Sequence, residues 1–159
     1  MPKQETVSLR KTLAELLRMK GAHASFHDAM SDFPPALRGV KPPGAPHTAW
    51  QLLEHMRLAQ EDILDFSRNP KYKEKAFPDD YWPATEAPPS DQAWAKSIET
   101  FDKDLKQVQD LIAETKHDLL AKLPHGTGQT LLREALLVAD HNAYHVGQLM
   151  FLRKILENR

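Results

Sequence analysis

The segment that decides the fold lies near the C-terminus, and residues 131–149 read LLREALLVADHNAYHVGQL. Its apolar residues recur with the 3.6-residue period of an amphipathic helix. His141 and His145 are four residues apart, so on a helix they lie one above the other with Cβ atoms roughly 5–6 Å apart. Their face of the helix also carries Leu137, Val138, Leu152, Ile155 and Leu156. Both imidazoles are therefore predicted to point into a core.

Inward-facing imidazoles need partners, and a shared metal ion can provide one. Two imidazoles at this spacing reach a single divalent ion, because each metal–nitrogen bond is about 2.0–2.1 Å long. The spacing alone is weak evidence, since the chain has eight histidines and His23 and His27 form a second pair of this kind. A third histidine, His55, lies on the apolar face of a different predicted helix. We interpret His55, His141 and His145 as ligands of one metal ion.

Helical periodicity predicts four helices separated by helix-breaking residues. Their expected bounds are Ser8 to Ser31, Ala49 to Arg68, Ser90 or Asp91 to Leu123, and Thr130 to Glu157. Thr48 is expected to cap the second helix, with Gln51 in the capping-box position. The sequence thus predicts an all-α fold, a four-helix bundle that forms a single domain over residues 1–159. The long connection between helices 2 and 3 is a crossover and suits up-up-down-down winding.

Composition narrows the classes of function. The formal net charge is −1, so no global positive field attracts nucleic acid or an anionic membrane. Cysteine is absent, which excludes disulfides, thiolate zinc sites and a cysteine nucleophile within this sequence. No window is long and apolar enough for a transmembrane helix, and the N-terminal residues lack the apolar stretch of a signal peptide. We therefore expect a cytoplasmic protein that binds neither nucleic acid nor membranes.

Two motifs carry a resemblance to a known family. Residues 131–149, together with WQLLEH at residues 50–55, resemble the DinB-like superfamily, and the resemblance covers essentially the whole chain. It implies a four-helix bundle with a divalent metal held by one histidine of the second helix and two of the fourth, here His55, His141 and His145. It also implies relatives that are thiol S-transferases, or a maleylpyruvate isomerase, and use low-molecular-weight thiols such as bacillithiol or mycothiol. A homodimer is a further implication.

Polar residues near the predicted site have open roles. Gln51 and Gln148 lie one turn from ligand positions, where they either hydrogen-bond a ligand imidazole or a metal-bound water, or merely satisfy buried polar atoms. His23 and His27 are expected to face inward and line the pocket if the first helix passes Gly21 unbroken. The remaining histidines are expected at the surface, namely His47, His117 and His125.

No residue is singled out as catalytic. Glu54 and Glu134 are the candidates for a general base by position, but salt bridges are the preferred interpretation of both. Tyr144 belongs to the motif and either borders the pocket or packs between helices. Tyr81 and Trp82, in the long connection, either form a lid or pin that connection to the bundle.

Three functional hypotheses follow from these residues. The first is a metal-dependent enzyme acting on small molecules, a thiol S-transferase or a hydrolase, with zinc, nickel or iron at the three-histidine site. The second is a metal-containing ligand-binding or stress-response module without turnover, and the third treats the histidines as core polar residues only. Three protein ligands leave an open metal position, which is typical of catalytic sites. We prefer the first hypothesis, and the lack of a convincing general base favours thiol transfer or binding over hydrolysis.

Overall fold

The computed structural model describes residues 3–158, whose regular structure is helical apart from one isolated β-bridge between Lys122 and Thr130. Within these residues the α-helices are α1 (Lys3–Leu17), α2 (Phe26–Met30), α3 (Ala49–Arg68), α4 (Asp91–Ala113) and α5 (Leu131–Glu157). Two short 3-10 turns span Pro35–Leu37 and Asp79–Tyr81. The all-α class is confirmed, and the four long helices fit a helical bundle.

Side-chain caps begin three of the long helices. Thr48 Oγ1 accepts a hydrogen bond from the Gln51 backbone N–H at 3.2 Å, and Gln51 Oε1 accepts one from the Thr48 N–H at 3.0 Å. This capping box satisfies two donors that a helix start leaves free, and it confirms the predicted start of α3. Ser90 and Thr130 cap α4 and α5, each accepting from the backbone N–H three residues further on. Each such cap contributes about 1 kcal/mol.

The prediction of one continuous first helix is wrong, because the chain leaves the helix after Leu17. Met19 has a φ of 51°, a left-handed conformation that ends helices. A new helix then starts after Ser25, where Ser25 and Asp28 form a capping box in which the Ser25 N–H donates to Asp28 Oδ2 at 2.8 Å. The face predicted for a continuous helix therefore does not extend beyond Leu17.

The predicted end of α4 is also wrong, since the helix stops at Ala113 rather than near Leu123. The guanidinium of Arg10, on α1, donates to backbone carbonyls at this end, those of Ile112, Glu114 and His117. The last carbonyls of a helix lack partners within it, and a cation there also interacts favourably with the helix dipole. A contact from a distant part of the chain therefore sets this helix end.

Contacts along α3 show how it lies against α4. Near the start of α3, Glu54 accepts a hydrogen bond from Ser97, and at its end Arg68 donates to Gln107. The later residue of α3 thus contacts the later residue of α4, so the two helices run in the same direction. This does not support the up-up-down-down order, in which the second and third long helices would run in opposite directions. The connection of residues 69–90 is a crossover that joins parallel helices.

In contrast, α5 runs antiparallel to α3. Leu52, near the start of α3, lines the same cavity as Leu152, near the end of α5. Gln60, further along α3, contacts Asn142, which lies earlier in α5. Gln60 Oε1 accepts from Asn142 Nδ2 at 2.9 Å, and Gln60 Nε2 donates to the Phe101 carbonyl at 2.7 Å. Both amide side chains are 1% exposed, so this network ties three helices together inside the core. Buried networks of this kind specify one packing register.

Apolar side chains fill the remaining space between the helices. Among the largest that are fully buried are Phe26, Leu53, Met56, Phe101, Ile112 and Leu149. Phe26 stacks on Phe101 with ring centroids 3.9 Å apart, which docks α2 onto α4. None of the helices formed by residues 3–158 is long and apolar enough to cross a membrane.

Candidate metal centre

Three imidazoles meet between α3 and α5. His55 comes from α3, while His141 and His145 come from successive turns of α5. One ring nitrogen from each lies within 4.8 Å of the other two, and the Nε2 atoms of His55 and His141 are 3.1 Å apart. His55 and His145 are each 7% exposed, and His141 is half-buried. The structure thus brings together the three histidines that the sequence singled out.

Hydrogen bonds to the far side of two rings define their tautomers. His55 Nδ1 lies 2.9 Å from the Tyr81 carbonyl oxygen, and His145 Nδ1 lies 2.7 Å from Gln148 Oε1. Both oxygens are acceptors, so each Nδ1 carries the proton and donates. The Nε2 atoms of these two rings are therefore unprotonated, and His55 Nε2 faces His141 Nε2 at 3.1 Å. Carbonyl and amide acceptors of this kind orient metal-ligating histidines in proteins.

The cluster favours neutral imidazoles. Burial, followed by the proximity of His145 and His55, lowers the pKa of His141 to about 4. Burial also lowers the pKa of His145 to about 4, although its bond to Gln148 opposes the shift. The pKa of His55 is lowered by burial as well, against the opposing effect of the Tyr81 carbonyl. Neutral imidazole is the form that binds metal, so all three rings are ready as ligands near neutral pH.

The separation of two of these nitrogens matches that of ligands on one divalent ion. Ligand nitrogens about 2.0–2.1 Å from an ion are about 3.3–3.4 Å apart in a tetrahedron and about 2.8–3.0 Å apart in an octahedron. The 3.1 Å between the Nε2 atoms of His55 and His141 lies between these values. His141 Nδ1 is buried and has no hydrogen-bond partner among residues 3–158, so the orientation of this ring depends on what its Nε2 contacts. Three imidazoles suit zinc, nickel or iron, and the ligand set does not choose among them.

The long connection forms one wall of the cluster. The Trp82 indole stacks on the His55 ring with centroids 3.9 Å apart and an interplanar angle of 4°. His47 stacks on Trp82 in turn, at 4.0 Å, so the indole lies between two imidazoles. The sequence placed His47 at the surface, but it is half-buried beside the cluster. His47 lies before the start of α3, where no helical periodicity indicates the direction of its side chain.

A buried carboxylate holds this connection in place. Asp62, which is 8% exposed, accepts hydrogen bonds from Tyr81 Oη at 2.7 Å and from Tyr72 Oη at 3.0 Å. Burial, together with the bond to Asp62, raises the pKa of Tyr72 to about 12, and the same causes raise the pKa of Tyr81. Both phenols therefore remain donors at neutral pH. Tyr81 links this anchor to the cluster, because its carbonyl accepts from His55.

Both carboxylates considered as general bases are paired with arginines. Glu54 binds Arg57 through two contacts of 2.9 Å and also accepts from Ser97. Glu134, whose side chain is 3% exposed, pairs with Arg133 at 2.9 Å. The salt-bridge interpretation of both residues is therefore confirmed, and neither carboxylate is left free to accept a proton from a substrate.

The other polar residues named from the sequence have different positions. Gln148 bonds the His145 ring, whereas Gln51 Oε1 is used in the α3 capping box. Tyr144 is 64% exposed and packs edge-on against the His145 ring with centroids 4.9 Å apart. The inward orientation expected of His23 and His27 is wrong, because the helix breaks before them.

Both of these histidines are exposed. His27 pairs with Asp102 of α4 at 3.0 Å. His23 borders an outer groove beside Ala143 and Gly147 of α5, away from the three-histidine cluster. The Ser25–Asp28 capping box was the local signal that could have located the break before them.

The fold and the site together define a helical-bundle protein with a candidate three-histidine metal centre. A family model described as the DinB superfamily matches residues 18–149, which include all three histidines. The chain belongs to the DinB superfamily. Comparison with curated proteins and with solved structures gives no match.

Proposed function

We propose that this protein is a divalent-metal-dependent enzyme acting on small molecules, with His55, His141 and His145 as the metal ligands. The observation that carries the proposal is the convergence of three neutral imidazoles, two of which have tautomers that leave Nε2 free. Membership of the DinB superfamily supports the same assignment. When bound, the ion supplies Lewis acidity, which lowers the pKa of a water or thiol that it contacts.

The residues around the ligands have supporting tasks in this proposal. The Tyr81 carbonyl and Gln148 Oε1 hold two of the rings in the binding tautomer. Trp82 covers one face of His55 and excludes water from it. A pre-oriented ligand set needs little reorganisation when an ion binds, which favours tight binding.

The reaction class that fits best is thiol S-transfer, with a low-molecular-weight thiol as one substrate. Hydrolysis requires a general base within hydrogen-bond reach of the attacking water. Glu54 and Glu134 are both paired with arginines, which weighs against hydrolysis. A thiol with a lowered pKa loses its proton to solvent and needs no dedicated base. A metal-containing binding module without turnover is the second candidate, because the pairing of Glu54 and Glu134 with arginines supports it equally.

We also propose that the protein is a homodimer. Along α5, Leu136, Tyr144 and Phe151 recur at intervals of eight and seven residues and are 45%, 64% and 68% exposed. Large apolar side chains at helical spacing on one element are typical of surfaces that pack against another copy. Analytical ultracentrifugation of the wild type and of Phe151→Glu tests this, with a dimer expected for the first and a shift to monomer for the second. A monomeric wild type would refute it.

Elemental analysis tests the metal assignment. We expect about one equivalent of a transition metal in purified, untagged protein, or after reloading with zinc, nickel or iron, and its loss in His55→Ala and His141→Ala. The matched control is His23→Ala, which removes an exposed histidine and should retain the metal. Circular dichroism confirms that each variant keeps its helices. Full occupancy in His141→Ala, or no metal after reloading of the wild type, would overturn the proposal.

A further inference from the structure

A cavity of about 360 Å³ lies beside the metal centre, between the proline-rich segment before α3 and the end of α5. This volume falls in the range of pockets that hold small molecules. The apolar part of its lining comes from Pro42, Ala45, Leu52, Phe151, Leu152 and Ile155. Two polar side chains also border it, His47 and Gln148.

Both polar side chains connect the cavity to the three-histidine cluster. Gln148 Oε1 accepts from His145 Nδ1, and His47 stacks on the Trp82 indole that covers His55. Within residues 3–158, the Gln148 amide NH₂ makes no hydrogen bond to another residue. That donor is therefore available to a ligand that carries an acceptor such as a carbonyl.

The lining of this cavity has no ionised side chain to pair with a charged ligand. Lys41, whose charge helps lower the pKa of His47, is committed to Glu86 at 2.5 Å. Burying a carboxylate or an ammonium group without a partner is costly, whereas burying an alkyl or aryl group is favourable. The cavity thus discriminates against charged ligands.

We infer that this cavity binds an uncharged, apolar small molecule with a carbonyl group, whose apolar part packs on Leu52, Leu152 and Ile155 while the carbonyl accepts from Gln148. This inference goes beyond the proposed function, because it assigns a ligand site that the three histidines do not themselves line. Gln148 then has two contacts, one with the ligand and one with His145 Nδ1, so the ligand carbonyl lies on the Nδ1 side of the His145 ring rather than beside Nε2.

The test uses para-alkyl benzamides as probes and follows backbone amide signals by NMR in the metal-loaded and the metal-free protein. We expect the shifts to centre on residues 45–47 and 148–155, with affinity rising about fourfold for each CH₂ from methyl to propyl. The matching para-propylbenzoate, which has the same shape and a negative charge, should bind at least tenfold more weakly. Equal binding of the benzoate, or shifts centred elsewhere, would overturn the inference.

A pair of variants tests the location of binding. Ile155→Trp fills the edge of the cavity and should weaken propylbenzamide binding at least tenfold. Leu120→Trp adds the same ring to an exposed position outside both the cavity and the proposed dimer surface, and should leave binding unchanged. Unchanged binding in Ile155→Trp, with its helical content intact, would refute the inference. Metal content after reloading is measured on the same preparation. A protein that takes up no metal but binds the benzamide would refute the proposed enzyme and leave the cavity assignment standing.

Discussion

The lowered pKa values of the α5 histidines predict an unusual pH profile for metal binding. A histidine with the ordinary pKa of about 6.5 is mostly protonated at pH 5.5, and each such ligand costs about tenfold in apparent affinity between pH 7.5 and 5.5. Three ordinary histidines would therefore lose about a thousandfold. Burial lowers the pKa of His141 and His145 to about 4, so neither competes appreciably for protons at pH 5.5.

We therefore expect the apparent affinity to fall by no more than about tenfold over this range, from His55 alone. The sign follows from the charged form: a depressed pKa keeps the imidazole neutral, and only the neutral ring binds metal. The steep decline should begin only below about pH 5.

Equilibrium dialysis against Ni²⁺, with nickel measured on both sides of the membrane, gives the affinity at each pH. A hexahistidine peptide under the same conditions serves as the reference for unperturbed imidazoles and should show the steep decline. A loss of a hundredfold or more between pH 7.5 and 5.5 in the protein would refute the reasoning, because it would mean that the rings of the folded cluster take up protons as readily as free histidine.

Three further predictions concern the apo protein and the supporting glutamines. Without metal, the free energy of unfolding should fall as the pH drops from 6.5 to about 4, because the imidazoles take up protons in the unfolded chain while His141 and His145 of the folded protein stay neutral. Urea denaturation should show a loss of order 1–3 kcal/mol per ring, and a stability that does not change with pH would contradict this. Gln148→Leu should lower the metal affinity about 10–100-fold at constant helicity, because it removes the hydrogen bond that orients the His145 ring. Gln51→Leu is the control: it should keep the metal affinity and lower the free energy of unfolding by about 1 kcal/mol through loss of the α3 cap. Equal metal affinities of the two variants would show that the bond to His145 is dispensable. Gln60→Leu leaves Asn142 and the Phe101 carbonyl unpaired in the core, so urea denaturation should show a loss of about 2–4 kcal/mol, and a change under about 0.5 kcal/mol would count against the network.

The starts of α3, α4 and α5 were predictable from the sequence because the groups that form them are close along the chain, whereas α1 starts at Lys3 rather than Ser8 and the start of α2 was missed. Thr48, Ser90 and Thr130 each accept from the N–H three residues on, and the residue types alone indicate it. Helix ends were less predictable. α4 ends where Arg10 of α1 caps its carbonyls, and no local pattern near Ala113 contains that contact. The direction of α4 along α3 also depends on tertiary contacts, so the long connection alone did not determine the winding.

The same distinction applies to the metal centre. His55, His141 and His145 were predictable because each lies on the apolar face of a helix, where period and side-chain direction are coupled. Of their supports, Gln148 was named from its position one turn after His145, and it bonds that ring. The others were not predictable, because the Tyr81 group that orients His55 is a backbone carbonyl, which every residue has, and His47 lies outside any periodic segment. The sequence therefore located the candidate ligands and only one of the groups that hold them.

The indole of Trp82, stacked between His47 and the ligand ring of His55, has a spectroscopic consequence. Its ring centroid is 3.9 Å from that of His55, whereas Trp50 and Trp94 lie together in the core, 6.5 Å apart. A paramagnetic ion such as Ni²⁺ or Cu²⁺ held by His55 would quench an excited indole at this range, whereas a closed-shell ion such as Zn²⁺ would not. Trp82 would thus serve as a built-in fluorescent reporter of which kind of metal the candidate centre holds.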